Sequence, residues 1–242
     1  MYALALRLCR KAEDAEDLVQ EIFLRAFRHW HQFDGRSSPT TWLYTIAVRA
    51  CRRMHRRRAG QPRRIGSLEE LAPFGQAQIA VLPADGGAAV EKEVRREAVE
   101  RVEEAVAALP PEFRLPLIFK DILGLSVEDT AAVLDLKPAT VKTRAHRARL
   151  RVRNALSAGL PRRALPPPAY SRQVCLDLLR AKQDALDRGV AFPVRSEIVC
   201  ERCRAVFDTL DLTRDVCAAM GAGKLPPDVR RRLGELLRRE RG

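Results

Sequence analysis

Between Thr140 and Arg163 the chain carries eight Lys or Arg residues and no Asp or Glu. In the same stretch Val141, Ala145, Ala148, Val152 and Leu156 recur three or four residues apart, the spacing of one buried stripe on an α-helix. A solvated surface helix usually alternates its charges to gain i,i+4 pairs. This one does not, so a polyanion is the expected partner and a plain solvated face the alternative. Upstream, Ser126-Val127-Glu128-Asp129 is a capping-box arrangement with Asp129 in the usual Glu position, opening a short helix over Val127–Leu134. Asp135-Leu136-Lys137-Pro138 is then a turn. Short helix, turn and long basic helix make a helix-turn-helix, whose second helix enters the major groove. Its first turns carry Thr140, Lys142, Thr143, Arg144 and Arg147, placed to reach base edges. Lys142, Thr143, His146, Arg149 and Arg153 lie opposite the apolar stripe, and the later arginines are expected on phosphates. His146 meets either a phosphate or solvent.

The rest of the chain reads as helices cut by breakers. Aromatics make up only 5% of the 242 residues, so the core must be mostly Leu, Val and Ala, which suits helices better than sheets. The expected fold is all-α: two small helical domains, the second a helix-turn-helix, joined by a flexible linker, plus a helical Cys-bearing C-terminal extension. The boundaries fall at 1–58, a Gly-, Pro-, Ala- and Gln-rich linker 59–90 with a short helical turn at Leu68–Leu71, 91–158, a stiffer Pro-rich linker 159–170, and 171–242, which ends in a charged helical tail from Pro227. Pro116 marks a start or a kink in the second helix of the 91–158 unit. The chain has no run of about 18 apolar residues, so no membrane-spanning helix is expected. The opening Met1–Arg7 has no basic leader, so a cytoplasmic protein is expected, with no membrane partner. The net charge of +13 favours nucleic acid first, acidic lipid second, or simply an Arg-rich proteome.

In the first unit, Leu18, Val19, Ile22, Phe23, Ala26, Phe27 and Trp30 form one broad apolar face over Glu13–Trp30. The opposite face lines up Asp17, Gln20, Glu21, Leu24 and Arg28, with a large apolar residue set among charges. Exposed leucines are common, so a docking surface is only the sharper of two readings. After a turn at Phe33–Ser38, Ser38 caps a helix that carries Pro39 in its first position. Trp42 and Tyr44 then sit beside a run of arginines, the chemistry of single-strand capture, unless Trp42 is a core anchor and Tyr44 its neighbour.

Taken together these segments resemble one family. The segment Asp14–Phe27, reading DAEDLVQEIFLRAF, is similar to the polymerase-binding helix of bacterial extracytoplasmic-function (ECF) sigma factors. Phe33–Ser38 and Thr41–Ala47 resemble that family's promoter-melting segment, and Leu109–Arg114, Gly124–Ser126 and Ala139–Arg149 its second DNA-binding domain. The resemblance covers about residues 3–158. It implies that Asp17, Gln20, Glu21, Leu24 and Arg28 dock on core RNA polymerase. It implies that the 33–53 segment, through Arg36, Ser37, Ser38, Trp42, Tyr44, Arg49, Arg52 and Arg53, opens and holds the minus-ten element. Thr140, Lys142, Thr143, Arg144 and Arg147 would read the minus-thirty-five element of promoter DNA. An anti-sigma protein is a further implied partner. No bond is made or broken, so the chain is not expected to be an enzyme. The family usually has a longer first helix ahead of the position of Met1, and often Asn at Arg49 and Asp at Arg53. The alternative is a stand-alone helix-turn-helix regulator that binds its operator without polymerase.

Cys9 and Cys51 lie alone in helical patterns and read as small buried apolar residues. Cys200-Glu201-Arg202-Cys203 is a CxxC flanked by Cys175 and Cys217, four thiolates that can complete a tetrahedral zinc site. Cys175–Phe207 also resembles, faintly, the zinc-binding domain of anti-sigma factors. Ser196 stands where that family has a His ligand, which makes Cys217 the substitute. The other readings are a redox switch at Cys200 and Cys203, beside Arg202 and Arg204, and unliganded reduced thiols. Thiol–disulfide exchange as an enzyme lacks a βαβ pattern and a companion acid or base.

Overall fold

The computed structural model describes residues 1–9, 12–56, 65–83, 87–221 and 231, with side chains left undescribed at 54–56 and 87–95. The expected tail from Pro227, the 59–64 and 84–86 parts of the first linker, and Arg57 and Arg58 lie outside the described residues. The helices are α1 Tyr2–Leu8, α2 Ala12–Arg28, α3 Pro39–Arg56, α4 Leu68–Leu71, α5 Gly87–Ala108, α6 Pro111–Leu117, α7 Val127–Leu134, α8 Pro138–Ser157, α9 Arg172–Arg188 and α10 Glu201–Met220. Two three-residue strands, β1 Gln78–Ala80 and β2 Arg162–Ala164, pair antiparallel with Ile79 opposite Arg163. The fold is all-α apart from this ribbon. Among the described residues, no helix is long and apolar enough to cross a membrane.

Local chemistry explains the breaks. Pro111 opens α6 in its first turn, where its missing N–H costs nothing. Five residues beyond it, Pro116 removes an amide donor inside the helix. The helix then widens into a π-turn over Ile118–Ile122, closed by Leu123 N–H donating to the Ile118 carbonyl at 2.9 Å. That turn aims Asp121 inward. Gly124, at φ 71°, allows the chain to double back, and Asp135, at φ 54°, ends α7 as a left-handed cap.

Neither linker is an open tether where it is described. Ser67 Oγ accepts from Glu70 N–H at 3.2 Å, and the Glu70 carboxylate accepts from Ser67 N–H at 2.9 Å, a capping box that builds α4. Ile65, Leu71, Phe74 and Ile79 are buried. From α10, Arg202 donates to the carbonyls of Gln76, Leu165 and Pro166 at 2.6 to 2.8 Å, stitching both linkers together. These segments carry unpaired backbone carbonyls that a buried guanidinium can satisfy, and composition alone hides that.

The two expected domains also merge. Tyr44 of α3 meets Phe119 edge-on at 5.4 Å between centroids, and Arg52 Nη2 donates to the Leu134 carbonyl at 2.7 Å. One apolar cluster runs from Leu4 through Ile22, Val48 and Phe119 to Leu179 and Leu210. The extension is part of it: α10 lies against α5, α8 and the π-turn, and Arg7 donates to the Met220 carbonyl.

Candidate nucleic-acid interface

The predicted stripe of α8 is fully buried at Val141, Ala145, Ala148, Val152 and Leu156, which fixes the orientation of its other faces. Thr143 is exposed, with Oγ1 donating to the Ala139 carbonyl at 2.9 Å. Thr140, Lys142, Arg144 and Arg147 are half-buried. The expectation that the later arginines meet phosphates fails for two of them: Arg149 and Arg153 are only 1% and 2% exposed. The reason is α9 and α10, which lie against this side of the helix. Arg149 grips both oxygens of Asp121 at 2.8 Å, reaches Asp187 Oδ1 at 2.6 Å and donates to Gln183 Oε1 at 3.3 Å. His146 Nε2 lies 2.8 Å from Asp187 Oδ2, and Lys142 Nζ lies 3.4 Å from Asp184 Oδ1.

Charge follows burial here. Burial would raise the Asp187 carboxyl, but its hydrogen bond to His146 and the Arg149 charge hold it down at about 2. Burial would lower Arg149, but the Asp121 and Asp187 carboxylates raise it above an ordinary guanidinium. Arg153 has no carboxylate partner among the described residues. It donates to Thr209 Oγ1 and Asn154 Oδ1, its Nη2 finds no acceptor, and burial, with Arg162 nearby, lowers it to about 10.

At α3, Ser38 is the cap that its sequence position predicts, its Oγ accepting from Thr41 N–H at 3.0 Å. Arg36 is exposed and paired with Asp34, and Ser37 is exposed. Arg49 and Arg53 are exposed and Arg52 half-buried. Trp42 stacks neither in the core nor alone. It meets Trp30 edge-on at 5.7 Å and Phe33 at 5.6 Å, and Trp30 is 54% exposed. By its spacing Trp30 belongs to the core face, but it is turned out of it and stacks on Phe33. The signal was the His29-Trp30-His31-Gln32 run, which leaves α2 in a 3₁₀ turn and rotates Trp30 off the apolar stripe. Tyr44, by contrast, is committed to Phe119.

On α2, Asp17 and Arg28 are exposed, and Gln20, Glu21 and Leu24 are half-buried, with Glu21 paired to Arg25. This face packs less deeply than the opposite side, where Leu18, Val19 and Ile22 are fully buried.

The four cysteines of the extension do not form one site. Cys203 and Cys217 lie fourteen residues apart on α10, which at 1.5 Å per residue is roughly 21 Å. Thiolates that share one zinc at about 2.3 Å cannot be so far apart. Cys217 is buried near Asp121 and Arg149, and burial pushes its thiol up. Cys203 does sit between Cys175 and Cys200. Burial and those two neighbours push its thiol up. Burial also raises Cys200, but N–H groups of Cys203 and Ala169 outweigh it and bring the thiol below an ordinary cysteine. Cys9 and Cys51 are buried as expected, and burial pushes Cys51 up to about 11.

Comparison with known proteins gives the family of this chain. The Sigma-70 region 2 family model matches residues 1–61, and the Sigma-70 region 4 model matches residues 99–152. ECF RNA polymerase sigma factor SigW of Bacillus subtilis is 30% identical over 156 residues, covering 64% of this chain and 82% of SigW. The RNA polymerase sigma-H factor of Pseudomonas aeruginosa is 31% identical over 157 residues, covering 64% of this chain and 80% of the relative. Among solved structures, the sigma factor RpoE of Bartonella quintana, in complex with the anti-sigma factor NepR, matches 65% of this chain and 90% of its own, at 26% identity and a TM-score of 0.47. Two matched regions in family order, and a relative covered over most of its length, place this chain in the ECF RNA polymerase sigma factors.

Proposed function

We propose that the chain directs core RNA polymerase to its promoters through three surfaces. The α2 face at Asp17, Gln20, Glu21, Leu24 and Arg28 docks on the polymerase. Trp42, with Trp30 and Phe33, captures an unstacked base of the minus-ten element while Arg36, Ser37, Ser38, Arg49, Arg52 and Arg53 follow the backbone. Flipping a base costs a few kcal/mol, which stacking and phosphate contacts must offset. Thr140, Lys142, Thr143, Arg144 and Arg147 read the minus-thirty-five element. An anti-sigma protein is the third partner in this reading.

The observation that carries this is the Trp30–Phe33–Trp42 cluster, with Trp30 54% exposed and Phe33 and Trp42 half-buried, at the start of the helix that further along carries the exposed Arg49 and Arg53. Reconstituted transcription with core polymerase tests it on promoters selected from a random library. Trp42→Ala should abolish open-complex formation while core binding persists. A chain that binds DNA by itself and never co-elutes with core polymerase would be an operator-binding regulator instead.

The extension is read as a cysteine-centred regulatory module. Cys175 and Cys200 both neighbour Cys203, although the three sulfurs do not all lie within 4.8 Å of one another, and a zinc ion that drew them together would cross-link α9 to α10. The same adjacency suits a disulfide through Cys203 under oxidation. Metal analysis of the purified chain, beside thiol titration before and after peroxide, separates the two. One bound zinc lost in Cys203→Ser supports the first, and a peroxide-dependent loss of two thiols the second.

A further inference from the structure

The contacts between α8 and α9 carry an inference that deepens this reading and rests on α8 being the promoter-reading helix. Lys142, His146 and Arg149 follow one another at four and three residues, a single stripe along α8. Each meets a carboxylate of α9: Lys142 meets Asp184, and His146 and Arg149 share Asp187. Gln183 adds a bond from its Nε2 to the His146 carbonyl at 3.3 Å. Farther along, Arg180 pairs with Glu69 of α4 at 2.8 Å, so α9 is held against the body of the protein at both ends of the contact. Between α4, α8 and α9 lies an open cleft of about 420 Å³, lined by Glu69, Lys142, Thr143, His146, Arg147 and Arg180 among others.

Size decides what this attachment does. A major groove about 12 Å wide admits one helix, itself about 10–12 Å across with its side chains. A second helix held on its flank through these side-chain pairs does not fit beside it, because the two together are wider than the groove. Charge points the same way, because two carboxylates stand where phosphate oxygens would otherwise pair with Lys142 and His146.

We propose that α9 is an intramolecular competitor for duplex DNA. Asp184 and Asp187 occupy the flank of α8, and the helix reads a promoter only after α9 has moved off it. Arg153 weighs against closure: α10 buries its guanidinium with no carboxylate partner among the described residues, and that charge opposes docking of the extension. His146, Asp184 and Asp187 also gather their ligand atoms within 4.8 Å. Lys142 and Arg149 already supply the cations at those carboxylates, which favours a protein–protein latch over an ion.

The test uses the full chain and a fluorophore-labelled duplex of mixed sequence, titrated across a salt series. Asp184→Asn with Asp187→Asn should tighten binding about tenfold and steepen the log–log salt slope by about one to two, the signature of newly available phosphate contacts. Because Asp187 is buried, that variant can lose its fold. Half-buried Asp184→Lys supplies a second route and should tighten binding several-fold more than Asp177→Lys, the same charge change on an exposed position of α9. Unchanged affinity in a cooperatively melting double variant, or equal effects of the two lysine variants, overturns the proposal. Co-elution with core polymerase is scored in parallel. If no form binds core, the sigma-factor reading itself fails; if all bind core and DNA affinity ignores Asp184 and Asp187, only the competitor role fails.

Discussion

Removing the Arg149 guanidinium leaves Asp121 and Asp187 facing each other in the interior with no counter-charge between them. Breaking a buried pair from one side costs about 3–5 kcal/mol, so Arg149→Ala should melt far below the parent in thermal denaturation. Arg153, four residues on, should behave oppositely. Its guanidinium is buried with no carboxylate partner among the described residues, Thr209 Oγ1 already bonds the Ala205 and Val206 carbonyls, and the Asn154 Oδ1 it releases belongs to a half-buried side chain that water reaches, so no buried charge is orphaned when the arginine goes. Arg153→Met should be neutral to stabilising by about 1–2 kcal/mol in the same assay. Both residues look alike in the sequence, two arginines on the polar side of a basic helix. The positions of Asp121, set by a π-turn that no periodicity signals, and of Asp187 on α9 tell them apart. The thiols divide in the same way. Cys200 alone of the six is not buried, so alkylation read by mass spectrometry should modify it first and the other five slowly.

At the scale of the element, α9 is held by a carboxylate whose titration can be followed. In the folded chain Asp187 lies at about 2, below the ordinary 3.8. A depressed carboxyl contributes stability that is complete above its unfolded pKa and lost as pH falls through the folded one. The contribution is about 2 kcal/mol, present above pH ~4 and gone near pH 2. The groups facing it are His146, Arg149 and, through Arg149, Asp121, with Lys142 and Asp184 one turn away. Urea denaturation across that range should show stability falling with acid, and Asp187→Asn should flatten the fall. The helices themselves were legible. The α8 stripe, the Ser38 cap and the Leu68–Leu71 turn all follow from spacing and capping chemistry. Which basic side chains stay available to DNA was not legible, because that depends on acids roughly forty residues away that no local pattern pairs with them.

Across the whole molecule, composition suggests beads on a string, but the described residues form one large core beside a small Val127–Ala131–Val141 cluster. Gly, Pro and polar residues at 65–83 and 159–170 mark breaks in helices, but a break is not a tether when Arg202 can satisfy its carbonyls. The same merging makes the end of α10 a closing contact. Arg7 donates to the Met220 carbonyl, and the next residue, Gly221, lies so close to the π-turn that an added Cβ would run into the Ile122 carbonyl oxygen. That neighbour is backbone and cannot rotate away. Gly221→Ala must therefore push α10 off the π-turn or shift the turn, and with it Asp121, the anchor of Arg149. Overpacking of this kind costs about 1–3 kcal/mol. Because α10, the π-turn and α8 share one core, the loss should not stay local. Hydrogen exchange followed by mass spectrometry should quicken in α10 and α9 together and change least in α2, whose apolar face packs on α1 and α3. Faster exchange confined to the last turn of α10 would mean that the extension docks in independent pieces and that α9 holds α8 without help from α10.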